Sequence, residues 1–253
     1  MTLDPSSLRN RISHVVSDAL APLTEVLAGW EGGSAAFGAV DDYSDVDLNF
    51  LVEDGTPIDL LYSLAEQALQ TISPITASHP APPGRYYKLM NSGEFLLIDL
   101  AFIRTGAADH SLDVERHGIA RPLFDKGEWL RPRPFDEAAV AAKRDTRYQE
   151  LQTWFPISQC FVRKAILRKQ QTEALACFWG YTLKPLVDLL RMRHCPARWD
   201  FGMRYLDRDL PPAVCGELRE LVFVRDVDDL NAKLTRAEAW GLILLKEVEP
   251  TKR

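Results

Sequence analysis

The stretch Gly33 to Asn49, GSAAFGAVDDYSDVDLN, decides how the rest of this 253-residue chain is read. A Gly-Ser pair opens it, and Asp45 and Asp47 stand near its end with one valine between them. In an extended strand, residues two apart face the same side. Asp45, Asp47 and Asn49 therefore share one face, while Val46, Leu48 and Phe50 take the other. Carboxylates side by side repel and hold protons more tightly unless a cation neutralises them. For hard oxygen ligands that cation is a divalent ion such as Mg²⁺, and the pair reads as a metal site. Gly33 lets the backbone approach a ligand closely. Ser34 adds a hydroxyl beside amides that face an anion where a helix begins, a position that suits a phosphate.

A third acid lies further on. The run Glu94 to Ile103, EFLLIDLAFI, is apolar except for Asp99 near its centre. A carboxylate in a buried strand is costly, so Asp99 either faces a metal or a cleft, or is satisfied by an arginine or backbone amides. Beside Asp45 and Asp47 it would complete a site able to hold two Mg²⁺ ions.

Gly33, Ser34, Asp45, Asp47 and Asp99, with the run DDYSDVDL from Asp41 to Leu48, resemble the signature of the polymerase-beta-like nucleotidyltransferase superfamily. Within it the chain looks most like the bacterial antibiotic-modifying type, in which a compact catalytic domain precedes a helical one. The resemblance implies transfer of a nucleoside monophosphate, AMP from ATP, to a hydroxyl of a small molecule such as an aminoglycoside-like antibiotic. It makes Asp45, Asp47 and Asp99 both catalytic residues and metal ligands. Gly33, Ser34, Asp45, Asp47 and Lys184 become the nucleotide contacts. The chain departs from the signature at Gly32, where a large apolar residue is usual, and at Phe37, where many members carry a basic one. Two other readings stand beside this one. An antitoxin-like adenylyltransferase would modify a protein hydroxyl, although this chain is longer than a minimal antitoxin. A catalytically silent nucleotide-binding protein is the other, and retention of three acids argues against it.

Composition is that of an ordinary globular protein, with 46% hydrophobic and 26% charged residues. The net charge of −6 argues against a broad nucleic-acid surface and is compatible with a cationic small substrate. No apolar run is long enough for a membrane span, and the opening MTLDPSSLRNRISHVV is too polar for a signal peptide, so the expected location is the cytoplasm. The four cysteines lack CxxC spacing and read as reduced thiols.

The expected fold is α+β or α/β: a nucleotidyltransferase domain over 1–134, with a mixed sheet flanked by helices, then an all-helical substrate-binding domain over 135–253. The acceptor is expected between the two. Apolar spacing predicts a helix from Pro5 to Leu27, interrupted or bent near Pro22. A short strand toward Trp30, a strand Val46 to Val52 and a helix Ile58 to Ile72 follow. Four prolines make Ser73 to Gly84 irregular. Asn91-Ser92-Gly93 turns the chain into the Asp99 strand as a hairpin. Arg131-Pro132-Arg133-Pro134 reads as a linker. Beyond it, helices are expected over Phe135 to Trp154, Ile157 to Gln170, Thr172 to Arg193, Leu218 to Val224 and Ala232 to Val248. Within Thr172 to Arg193, Pro185 bends or divides the helix, Leu175 and Trp179 belong to the core stripe, and Lys184, Asp188 and Arg191 lie on a solvated polar stripe. The segment Arg193 to Leu206, with its arginines and aromatics, either walls a cleft or only packs. The tail 249–253 is expected to fray.

Overall fold

A computed structural model describes residues 5–107, 110 and 112–248; the tail 249–253 lies outside them. The chain divides into two compact units, Met1–Phe135 and Asp136–Arg253.

The first unit is a mixed six-stranded sheet in the order β3-β4-β5-β2-β1-β6. Helix α1 (Pro5–Leu20) leads into β1 (Val26–Glu31), the short α2 (Gly33–Ala36) and β2 (Val46–Val52). Helix α3 (Ile58–Gln70) crosses to the hairpin β3 (Ile75–Ala81) and β4 (Gly84–Leu89). Then follow β5 (Ile98–Arg104), α4 (Val114–His117) and β6 (Arg121–Asp125). Strands β2 and β5 run parallel, and the other pairings are antiparallel. Val46, Leu48 and Phe50 on one face of β2 pack with Leu8, Ile12 and Val16 of α1 and Leu61 and Ala65 of α3. Trp30, Leu51, Ile103 and Leu112 form a smaller core.

Three expectations change in this unit. Helix α1 stops at Leu20, and Val26 and Leu27 begin β1. Pro22 cannot continue the helix, and the apolar residues after it serve a strand. The proline-rich segment Ser73 to Gly84 is mostly strand rather than irregular. Strand β3 is an edge strand paired only with β4, where a missing N–H costs little. Strand β6, not among the strands expected, closes the opposite edge against β1.

The second unit is all helical. Helix α5 (Glu137–Leu167) is followed by α6 (Gln171–Cys177), a π-helical turn Phe178–Leu183 and α7 (Lys184–His194). After them come α8 (Leu206–Asp209), α9 (Pro212–Val222) and α10 (Val227–Glu247). Helix α5 runs 31 residues without a break and carries Pro156 inside, so the two helices expected on either side of it are one. Asp136 caps it, accepting a hydrogen bond from the Ala139 N–H. The π turn falls just before Pro185, which becomes an early residue of α7, so the expected helix is divided there rather than bent. Its stray Tyr181 carbonyl accepts from Ser158 Oγ at 3.3 Å and Gln159 Nε2 at 3.0 Å, both on α5.

Of the polar stripe expected to be solvated on α7, Lys184 is exposed but Asp188 and Arg191 are not. Every residue from Pro185 to Met192 is buried, because this helix is enclosed on all sides. Leu175 and Trp179, assigned to the core, are instead partly exposed, since the extra residue of the π turn rotates the face that precedes it. Arg191 is wholly buried and binds Asp209 Oδ2 at 2.9 Å and the Gly202 carbonyl at 2.7 Å. Arg198 and Arg208 bind the same carboxylate, so the arginine-rich segment after α7 is packing around a buried ion cluster. Burial pushes the Asp209 carboxyl up, but hydrogen bonds from Arg208, Arg191 and Arg198 outweigh it and hold the group below the usual range.

Removing Asp209 leaves Arg191 buried and unpaired, so Asp209→Ala should cost roughly 3–5 kcal/mol in urea unfolding. A carboxyl whose native pKa is depressed stabilises the fold above the unfolded value of about 4, and that contribution vanishes as pH falls through the native value. Urea midpoints should therefore fall with acid in the native protein between roughly pH 5 and pH 2, and more shallowly in Asp209→Asn.

Candidate functional site

The parallel pairing of β2 with β5 sets Asp47 opposite Asp99, and the pairing of β5 with β4 sets Asp99 opposite Tyr86. Registered residues on neighbouring strands share a face, so Tyr86, Asp99 and Asp47 form one row across the sheet. The row opposes the α1 and α3 side, because Val46, Ile98 and Tyr87 on the alternate positions belong to the main core. Asp45 precedes β2 by one residue, and its Oδ1 accepts the Leu97 N–H at 3.2 Å. All three carboxylates are half-buried.

Glycines make room for two of them. Gly33 opens α2 with φ of 50°, a left-handed conformation that favours glycine, and a Cβ there would collide with the Asp47 carboxylate. At Gly84 a Cβ would stand 2.7 Å from the Leu100 carbonyl and 3.1 Å from Asp99 Oδ1. The Gly32 N–H donates to the Asp47 carbonyl at 2.9 Å, so the Gly-Ser turn is tied to the acid strand. Ser34 lies in the first turn of α2, whose leading N–H groups have no acceptor within the helix.

Burial pushes the Asp99 carboxyl up; the Tyr86 hydroxyl, bonded to it, pulls it down; the nearby Asp45 charge raises it again, and the net direction is upward. The Tyr86 phenol is raised by the Asp99 charge, by burial, by its hydrogen bond to Asp99, and by Asp47 and Asp45. One hydroxyl thus stands within the field of all three acids.

The donor set suits a hard divalent cation in kind, being three carboxylates of one unit coupled through space, with bare backbone at Gly33 and Gly84 beside two of them. Their side chains do not converge: among the described residues no group of three or more His, Cys, Asp or Glu is placed to hold a metal ion. Asp45 is engaged by Leu97 and Asp99 by Tyr86, so gathering them about one ion requires those bonds to yield.

Lys184, the remaining expected nucleotide contact, lies on the second unit at the start of α7, exposed; burial pushes the nearby Asp188 carboxyl up, and the charges of Arg147 and Lys184 offset only part of that. Asp188 itself receives two hydrogen bonds from Arg147, at 3.0 and 2.9 Å.

The sequence reading missed Tyr86, whose segment alternates only weakly. It also missed a cavity of about 250 Å³ lined by Arg9, Asn10, Glu31, Val40, Asp45 and Arg121, among others. Arg9, Ser13 and Ser17 are buried polar residues spaced four apart on α1, a pattern present in the sequence beside the apolar stripe. Glu31, also buried, accepts from Ser13 and, at 3.0 Å, from Arg121. No described helix is long and apolar enough to cross a membrane.

No family model and no curated protein matches the chain. Among solved structures it aligns with an aminoglycoside 6-adenyltransferase from Bacillus subtilis at 12% identity and a TM-score of 0.36, over 93% of this chain and 88% of that one. A likeness at that level leaves the residues themselves to carry the functional reading.

Tyr86→Phe removes the one bond that opposes burial at Asp99. The Asp99 carboxyl should then titrate at higher pH than in the native protein, measured by carbon-13 NMR of its labelled side chain; a downward or null change would contradict the assigned contact.

Proposed function

We propose that the first unit is a Mg²⁺-dependent nucleotidyl-transfer site that passes a nucleoside monophosphate, AMP from ATP, to a hydroxyl of a small acceptor such as an aminoglycoside-like antibiotic. The observation that supports this best is the row Tyr86, Asp99 and Asp47, with Asp45 beside it and Gly33-Ser34 at its end. The proposal uses the residues of the first unit alone.

Asp45, Asp47 and Asp99 would hold the ions. Bound there, Mg²⁺ supplies charge neutralisation at the triphosphate and a more acidic acceptor hydroxyl. In an alternative role Asp99, instead of holding an ion, takes the proton of the acceptor hydroxyl directly as general base. The acceptor oxygen then bonds to the α-phosphorus, the bond to the bridging oxygen breaks, and that oxygen leaves with the electron pair on pyrophosphate. The Ser34 hydroxyl and the first-turn N–H groups of α2 donate to the departing phosphates. Tyr86 orients Asp99 before the acceptor arrives.

Pyrophosphate release from ATP, screened across hydroxyl acceptors that include aminoglycosides, tests the reading. Asp45→Asn and Asp47→Asn should each lower the rate by about 10³-fold or more, corresponding to several kcal/mol of lost transition-state charge stabilisation, with unchanged circular dichroism. Native rates in either variant would end the metal-site proposal.

A further inference from the structure

The loop that carries Asp45 to its place is poorly supported from below. Residues 38–43 are all exposed, and the cavity of about 250 Å³ is bounded by Val40, Asp45 and Arg9. Arg9 reaches this loop from α1: its Nε and Nη2 donate to the Ser44 carbonyl at 3.1 and 2.7 Å, from a residue only 8% exposed. Ser44 directly precedes Asp45.

The loop end is otherwise closed on itself. Ser44 Oγ donates to Asp41 Oδ1 at 2.7 Å and accepts the Asp41 N–H at 2.9 Å, while Asp41 Oδ1 also accepts the Tyr43 N–H at 3.0 Å. These bonds hold the four residues as a rigid turn but do not attach it to the rest of the unit. Attachment comes from Arg9 on one side. On the other come the Asp45 bond to the Leu97 N–H and the edge-on packing of the exposed rings Tyr43 and Phe95, 5.3 Å apart. A charged guanidinium giving two hydrogen bonds to one carbonyl is the strongest of these ties.

We infer that Arg9 is a positioning residue that clamps the Asp41–Ser44 turn across the cavity and so sets where Asp45 presents its carboxylate. Its effect on chemistry rests on the reading of Asp45 as a metal ligand. The clamp itself does not. Arg9 needs no contact with substrate, because it acts through the backbone one residue away.

The test has two arms, run on native protein, Arg9→Met, Arg9→Lys and Asp45→Asn. Amide hydrogen exchange reads the clamp: the Val46 and Leu97 amides, which tie the Asp45 end of the turn to the chain before β5, should exchange about tenfold faster or more in Arg9→Met, and at an intermediate rate in Arg9→Lys, which keeps a donor and guards against misfolding. Exchange at both amides unchanged in a folded Arg9→Met protein overturns the inference. Mn²⁺ affinity in the presence of a non-hydrolysable ATP analogue, read by electron paramagnetic resonance, gives the consequence: Arg9→Met should weaken it about 10–100-fold, as loss of an outer support to a metal ligand does. If Asp45→Asn abolishes Mn²⁺ binding while Arg9→Met leaves it native, the positioning role is overturned and the metal site stands. If Asp45→Asn binds Mn²⁺ as the native protein does, the metal reading falls, and faster exchange in Arg9→Met still supports the clamp.

Discussion

The first unit depends on one pairing: two adjacent parallel strands that set Asp47 beside Asp99 in register. Neighbouring strands are about 4.8 Å apart, so two like charges on one face at that spacing destabilise the sheet unless something compensates. Part of the compensation lies in neighbours brought from elsewhere in the unit. Tyr86 donates a hydrogen bond to Asp99, the Leu97 N–H donates one to Asp45, and Gly33 and Gly84 open space beside two of the carboxylates. A sheet built for stability alone would place apolar residues there.

The compensating parts come from remote places in the chain. Strand β4 brings Tyr86, the connection before β5 brings Leu97, and α1 brings Arg9 to the turn before Asp45. The apolar face of α1 packs on the sheet while its buried polar positions at Arg9, Ser13 and Ser17 tend the end of it. One helix therefore serves both the core and the acid-bearing loop.

The second unit solves a different problem with the same economy. Residues Pro185–Met192 of its helix α7 are buried on every side, so Asp188 and Arg191 must find partners inside. Arg147 meets the first and Asp209 the second, and the three arginines around Asp209 keep it ionised. The π turn before α7 leaves the Tyr181 carbonyl without its ordinary partner, and two buried side chains of α5 supply replacements. These polar contacts fix the packing of the helices more narrowly than an apolar core would.

What the sequence determined by itself was local. Alternation marked β2, the apolar run around Asp99 marked β5, and the doubled prolines at 132 and 134 fell beside the division between units. Such features follow from backbone sterics and from the period of a strand, which need no partner to be read. Which residues meet was decided only by tertiary structure. The sequence spacing of Asp47 and Asp99 does not state that their strands are parallel neighbours, and nothing local marks Tyr86 as the third member of the row. Strand β3 tolerates Pro80 because it lies at an edge, and Arg191 is buried because the helix around it is surrounded on every side. Edge position and enclosure are properties of the assembled fold. A residue's hydrogen-bond partners and exposure depend on elements distant in sequence, and those come together only when the chain has closed on itself.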